Sequence, residues 1–316
     1  MTTTTPVDVA AVTPPPSRAS GRPTAKAKAP RNWRGWIFVA PFMIVFLLVF
    51  LAPVAYSVYL SLFRHQLIGG DHFVWFQNYT QAFSDPKLRE GAVRVLVFLV
   101  VQVPIMLCLA LFAALAIDSR RLLGSAFMRL GIFLPYAVPG VVAVLMWGFL
   151  YSDRMGLAGN VNDFLGHDVL KPFSQTWILP SIGNIVTWEF VGYNMLIFYS
   201  ALRTIPGDLY EAAALDGAGQ FRIVRSIKLP ALRGAIVIAT IFSIIGSFQL
   251  FNEPNILKPL APGLITTYYT PNMYAYNLSF FGQQVNYAAT VAIVMGVITA
   301  VIAYVVQLRG NRQEQR

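Results

Sequence analysis

Two sets of polar residues interrupt an otherwise apolar chain, and each has a spacing that could do chemistry. The first set lies inside long apolar runs, where a polar side chain is costly to bury and therefore marks a function or a helix–helix contact. It consists of Glu189, Tyr193 and Asn194 in one run and Ser243, Ser247, Gln249, Asn252 and Glu253 in the next. Glu189 and Tyr193 are four residues apart, as are Ser243 and Ser247, so each pair shares one helix face. Hydroxyls, amides, a carboxylate and an aromatic face together can hold a ring of hydroxyl groups. The other uses open to these residues are hydrogen bonding between helices and, for Asn252 and Glu253, a place at the membrane surface.

The second set is the segment Ile205–Pro230, IPGDLYEAAALDGAGQFRIVRSIKLP, which lies between those two runs. Its local signals describe two short helices with a break. Pro206 suits a first helical position, where its missing N–H would have no partner anyway. Asp208 then meets the positive end of the helix dipole. Glu211 to Leu215 are good helix formers, and Gly217 and Gly219 can supply the break. A second piece, Gln220 to Lys228, is expected to end at Pro230. A run of alanines carries almost no side chain, so the backbone of another protein can approach it closely. The alternative is an ordinary amphipathic loop whose Glu211 caps or pairs locally.

The elements that position both sets are membrane spans. Of the 316 residues, 56% are hydrophobic and 12% charged, against about 25% charged in a soluble domain. Six runs are long enough to cross about 30 Å of hydrocarbon: Trp36–Leu62, Val93–Ile117, Phe127–Leu150, Trp177–Leu202, Ala235–Phe251 and Ala288–Leu308. Pro53, Pro104, Pro135 and Pro139 are expected to bend them. The first run is too long for a cleaved signal core and lacks a small-residue cleavage site, so it reads as an uncleaved span. Residues 1–34, rich in Thr, Pro, Ala and Lys, read as a disordered basic tail. Residues 35–309 form the membrane domain, and 310–316 a second tail. With the first tail in the cytoplasm, 17 of the 24 Lys and Arg residues fall on the inner side. This asymmetry expects both termini, and the 203–230 loop, inside the cell. Outer-loop aromatics, among them Trp75, Phe76, Phe83, Tyr269, Tyr274, Phe280 and Phe281, read mostly as an interfacial belt.

Several chemistries are missing. There is no phosphate-binding G-x-x-x-x-G-K-[ST] loop, no G-x-S-x-G elbow and no H-E-x-x-H helix. His65, His72 and His167 are scattered in polar loops, and Cys108 is the one cysteine, so neither a metal nor a cofactor is expected. The net charge of +10 follows the inner loops and does not point to nucleic acid.

Glu211-Ala212-Ala213, Asp216-Gly217-Ala218, and then Ile227, Leu229 and Pro230 resemble the EAA loop of ABC-importer permeases, with a lead-in similar to the maltose-type sugar branch. Phe76-Gln77-Asn78-Tyr79 also looks like that branch's first outer loop. Gly234 departs from the pattern, as does the segment Lys258-Pro259-Leu260-Ala261-Pro262-Gly263. The resemblance implies an all-α, polytopic type I permease fold of about six helices in a bacterial inner membrane. It implies coupling residues Glu211, Ala212, Ala213, Asp216, Gly217, Ile227, Leu229 and Pro230, seated on an ATP-binding subunit dimer. It further implies a second homologous permease, an extracellular solute-binding protein and a sugar substrate. Glycerol-phosphate, a polyamine or another polar solute is the other substrate class open to such a permease; an anionic substrate would want basic groups at membrane depth, where none is found, so a neutral sugar is favoured. An ion-coupled secondary transporter is the alternative; Glu189 would be its one coupling group, and no inverted repeat is visible.

Overall fold

The computed structural model describes residues 34–66, 69–119 and 124–314. The basic tail up to residue 33, and Arg120 and Arg121, lie outside the described residues. The chain divides into two units, residues 1–51 and 52–316. In the first, α1 (Arg34–Val45) passes into a π-helical turn at Phe46–Leu51. Phe42, Phe46 and Phe50 stack along it with ring centroids 6.0 and 5.2 Å apart.

The second unit opens with α2 (Ala52–Ser61) and a short antiparallel hairpin, β1 (Phe63–Gln66) with β2 (Gly70–Phe73), an addition to the all-helical expectation. α3 (Gln77–Ser84) follows. Its Asn78 explains the Phe76–Tyr79 signature: its amide donates to the carbonyls of Ser61 and Phe63, both at 2.8 Å, and accepts from Arg64. Asp85 then caps the long α4 (Pro86–Asp118) by accepting from the Lys87 N–H at 2.9 Å. It also accepts 2.7 Å bonds from the Tyr274 and Tyr287 hydroxyls, which ties the start of α4 to the last two helices.

The third apolar run is not one straight span. α5 (Ser125–Phe133) passes through a tight turn at Leu134–Ala137 into α6 (Gly140–Leu150), and the two pieces are bent by 96°. Val138 precedes Pro139 and is forced out of the helical region, to ψ 132°. α7 (Leu157–Leu165) and α8 (Ile178–Leu202) follow. Next come α9 (Gly207–Leu215), α10 (Gln220–Ile223), a π-helical turn at Val224–Lys228 and α11 (Leu229–Ala231). α12 (Arg233–Phe248) and α13 (Asn252–Leu257) make the next candidate span, longer at both ends than Ala235–Phe251. α14 (Pro271–Phe280) and α15 (Val285–Glu314) complete the chain. α15 extends well beyond Leu308, so the expected 310–316 tail is helical through Glu314. Among the described residues, five helices are long and apolar enough to cross a membrane, or six if the bent pair is one span.

α8 packs along α4, with Ala110, Ala114 and Ile117 against Met195, Phe198 and Leu202 at one end. At the other end Phe98, Ile182 and Ile185 pack with the segment after α13. That segment, expected as an unusual loop, is folded inward: Ala261, Ile265 and Tyr269 are buried. Tyr269 is therefore core rather than belt, whereas Trp75, Phe76, Phe83, Phe280 and Phe281 are exposed.

Candidate functional site

Seven of the eight membrane-depth polar residues line one cavity of about 400 Å³. Tyr193 and Asn194 enter it from α8, Ser243 and Ser247 from α12, and Gln249, Asn252 and Glu253 from the break between α12 and α13 and the start of α13. The break has a local cause. At Phe251 the backbone leaves the helical region, with φ −147° and ψ −52°, and Pro254 then sits in the first turn of α13. The polar side chains after Phe248 thereby turn into the cavity instead of continuing around a helix.

Glu189 is the exception. It is buried but does not line this cavity, and its carboxylate faces the start of α6, where a Cβ on Gly140 would stand 3.3 Å from Oε1. It carries no hydrogen bond or ion pair to the described residues that would mark it as a coupling pair. Sequence reasoning missed two polar lining residues, Gln102 of α4 and Tyr136 of the bend, and the apolar wall made by Phe98, Met106, Phe190 and Phe242 among others. Gln102 was visible as an amide within an apolar run. Tyr136 was visible only as an aromatic between two prolines, and its ring stacks on Tyr193 at 5.0 Å and 21° because the 96° bend brings it back against α8.

The cavity wall is chemically one-sided. It holds the amides of Gln102, Asn194, Gln249 and Asn252, hydroxyls of Ser243, Ser247, Tyr136 and Tyr193, and the Glu253 carboxylate, with no Lys, Arg or His. Ser247 donates back to the Ser243 carbonyl at 2.8 Å. Asn194 is 2% exposed and donates to the Phe190 carbonyl at 3.0 Å, but its side-chain oxygen has no partner. A buried acceptor left unpaired costs about 1–3 kcal/mol, so this oxygen favours a ligand that brings it a donor. A larger groove of about 650 Å³ shares Phe98 and Gln102 with it; its wall mixes Val, Ile and Leu side chains with Gln175, Thr176, Asn184 and Thr187 and carries one basic residue, Arg94.

The segment after α8 has the opposite character. No residue of α9 is buried. Pro206 stands one position before the helix, as its cap, and Asp208 lies in the first turn. Gly217, at φ +71°, ends α9 in the left-handed conformation that glycine adopts at little cost. Its N–H bonds the Ala214 carbonyl at 3.0 Å and the Ala218 N–H bonds the Ala213 carbonyl at 2.9 Å, a Schellman closure. Glu211, Ala212 and Asp216 are exposed, and Glu211 makes no hydrogen bond or ion pair among the described residues. Leu209, Leu215 and Phe221 also face outward, Leu215 at 90% exposure. Contrary to the expectation, Pro230 does not end the second piece. The π-helical turn before it, in which the Leu229 N–H bonds the Val224 carbonyl, lets a residue without an N–H continue the winding into α11 and α12. Ile227 and Leu229 are half-buried on that turn.

Membrane-crossing helices around a polar, carboxylate-bearing cavity, with an uncovered alanine helix on the connecting loop, define a transport permease. The chain matches the profile of the binding-protein-dependent transport system inner membrane component over residues 106–316, and it belongs to that family. It is 30% identical over 312 residues to the diacetylchitobiose uptake system permease protein NgcF of Streptomyces coelicolor, covering 93% of this chain and 87% of that one. It is 32% identical over 279 residues to the lactose transport system permease protein LacF of Rhizobium radiobacter, covering 85% and 91%. A crystal structure of a bacterial ABC transporter involved in import of the acidic polysaccharide alginate shares the fold at TM-score 0.76 and 18% identity, over 89% of this chain and 96% of that one.

Proposed function

We propose that this chain is the translocating subunit of an ATP-driven importer for a neutral oligosaccharide or disaccharide. An extracellular binding protein delivers the sugar to the 400 Å³ cavity, whose size lies within the roughly 300–1,000 Å³ of small-molecule pockets. A second related permease supplies the facing wall. Two ATP-binding subunits on the cytoplasmic side, where both termini also lie, grip α9. The observation that carries this reading is the pairing of a cavity bearing amides and hydroxyls, free of Lys and Arg, with an alanine helix on the adjoining loop that has no buried residue. The named relatives that carry lactose and diacetylchitobiose support the sugar class.

The residues divide the work. Tyr136 and Tyr193 offer stacked aromatic surface to a sugar face, the unpaired Asn194 oxygen accepts from a ring hydroxyl, and Gln102, Gln249 and Asn252 donate and accept around it. Glu253 accepts from hydroxyls. Closure of the ATP-binding pair would move α9, and with it α8 and α12, which it joins. Glu211 anchors the contact, Ala212 and Ala213 allow close approach, and Asp216 and Gly217 set the angle to the next helical piece. Ile227, Leu229 and Pro230 hold that piece against the bundle. In membrane vesicles charged with lactose-loaded binding protein, uptake should survive collapse of the ion gradients and stop on ATP depletion. Asn194→Leu should raise the half-saturating concentration about tenfold, the loss of one hydrogen bond. Uptake that follows the ion gradient and ignores ATP would refute the reading.

A further inference from the structure

One ion pair fastens the tail of the α9 segment to the bundle. Lys228 Nζ lies 2.6 Å from Asp118 Oδ2, and the two side chains are 7% and 11% exposed. Their partners in sequence are 110 positions apart. The other ion pairs among the described residues each have at least one side chain more than half exposed. Lys228 also stands 5.6 Å from the ring of Tyr210, a residue of α9 itself.

The backbone is arranged to make this pair. Asp118 is the last residue of α4, where the negative end of the helix dipole disfavours a carboxylate unless a cation stands beside it. Lys228 reaches it from a π-helical turn. The residue that such a turn inserts rotates everything after it by about 100° on the helix surface. Without the insertion Lys228 would not hold its present inward position. A buried pair is weak as a source of stability, since apolar residues of similar size usually serve as well. π-Turns carry a cost and tend to persist at functional positions. Both features together at one joint call for a role other than stability.

The placement supplies one. α9 has no buried residue, whereas Ile223, Lys228 and Leu232, which follow it, are all buried. The segment is an exposed arm held at its base. Asp118 is fixed to the same helix that contributes Gln102 to the cavity, sixteen residues or about 24 Å away.

We propose that the Asp118–Lys228 pair is the joint through which displacement of α9 reaches α4 and the cavity wall, with both as positioning residues. This rests on the reading of α9 as the helix gripped by the ATP-binding subunits. The test uses the complex that a tagged copy of the full chain carries with it from the membrane, in a Cys108→Ser background. A cysteine at Phe242, an exposed residue of the cavity wall, reports on the wall through its rate of reaction with a membrane-impermeant maleimide, with and without a non-hydrolysable ATP analogue. A cysteine at Ala212 reports docking by crosslinking. Asp118→Asn, Lys228→Met and the double variant should keep the Ala212 crosslink and lose the nucleotide-dependent change at Phe242 by about tenfold. The exchange Asp118→Lys with Lys228→Asp should recover it. A double variant that keeps both the crosslink and the nucleotide response overturns the proposal. So does loss of the crosslink together with the response, which would make the pair a folding element. If instead Ala212 crosslinks to no ATP-binding subunit in the otherwise unaltered chain, it is the reading of α9 that fails.

Discussion

Replacing Gly192 by alanine puts a methyl group where the backbone of another helix already lies. The new Cβ would stand 2.1 Å from the Ile132 carbonyl oxygen and 2.7 Å from the Phe133 Cα, against a practical lower limit of 3.0 Å. Both neighbours are backbone, so α8 and α5 must separate by roughly 1 Å. Overpacking of this kind costs about 1–3 kcal/mol, and gives back at most about 1 kcal/mol of helix propensity. Gly183 on the same helix is the control. Its added Cβ would meet Gln102 Cγ at 3.4 Å and Phe98 Cε2 at 3.6 Å, ordinary contact. Gly183→Ala should therefore be neutral or stabilising. The propensity gain is common to both variants, so they differ by the overpacking cost of about 1–3 kcal/mol, or roughly 2–12 °C in the unfolding midpoint of the detergent-solubilised protein. Gly192→Ala should also shift the cavity, since the displaced turn carries Tyr136. A Gly192→Ala midpoint equal to or above that of Gly183→Ala would refute the close approach of the broken third span to α8.

Three further outcomes follow from local geometry. Burial pushes the Asp85 carboxyl up, but hydrogen bonds from Tyr274, Tyr287 and the backbone of Lys87 and Leu88 outweigh this and hold it below its ordinary 3.8. Its contribution is thus complete above that value and is lost as the pH falls through the lower, folded value. Asp85→Asn should cost about 1 kcal/mol near neutral pH, discounted for partial exposure, and thermal midpoints of variant and parent should converge as the pH falls through that lowered value. Asn78→Ala strands the Phe63 carbonyl and leaves that of Ser61 only a 3.4 Å bond from the Thr290 hydroxyl; it should cost about 1–3 kcal/mol and raise the rate of proteolysis within the hairpin. Gly217→Val meets no steric obstacle but must hold φ near +71°; a strain of about 1–2 kcal/mol should reduce co-purification of the ATP-binding subunit without lowering the amount of folded permease.

What the sequence made legible was local. The apolar runs, the alanine helix with its Gly217 break, and the polar residues of α8 and α12 all announce themselves within a few positions, because span length, helix caps and buried polarity are near-neighbour properties. Pro135 and Pro139 announced a bend but not its 96° extent, which depends on what α5 and α6 pack against. Pro230 misled in the opposite way, because a π-turn absorbed its missing N–H. Contacts between distant positions stayed hidden: Asp85 with Tyr274 and Tyr287, Lys228 with Asp118, and Tyr136 on Tyr193. Glu189 stood out as a charge at depth; its Oε1 lies beside the start of α6, and its carboxylate is within electrostatic reach of Glu253 in the cavity wall. One-dimensional spacing assigns a residue to a helix face but cannot say which face meets the cavity.

The coupling mechanism turns on what covers α9. A photoreactive side chain at Leu215, 90% exposed at the end of that helix, should capture an ATP-binding subunit in membranes that carry out ATP-driven uptake, with the attachment mapped by mass spectrometry to one groove. Capture of lipid alone, or of nothing, while such uptake proceeds would contradict it.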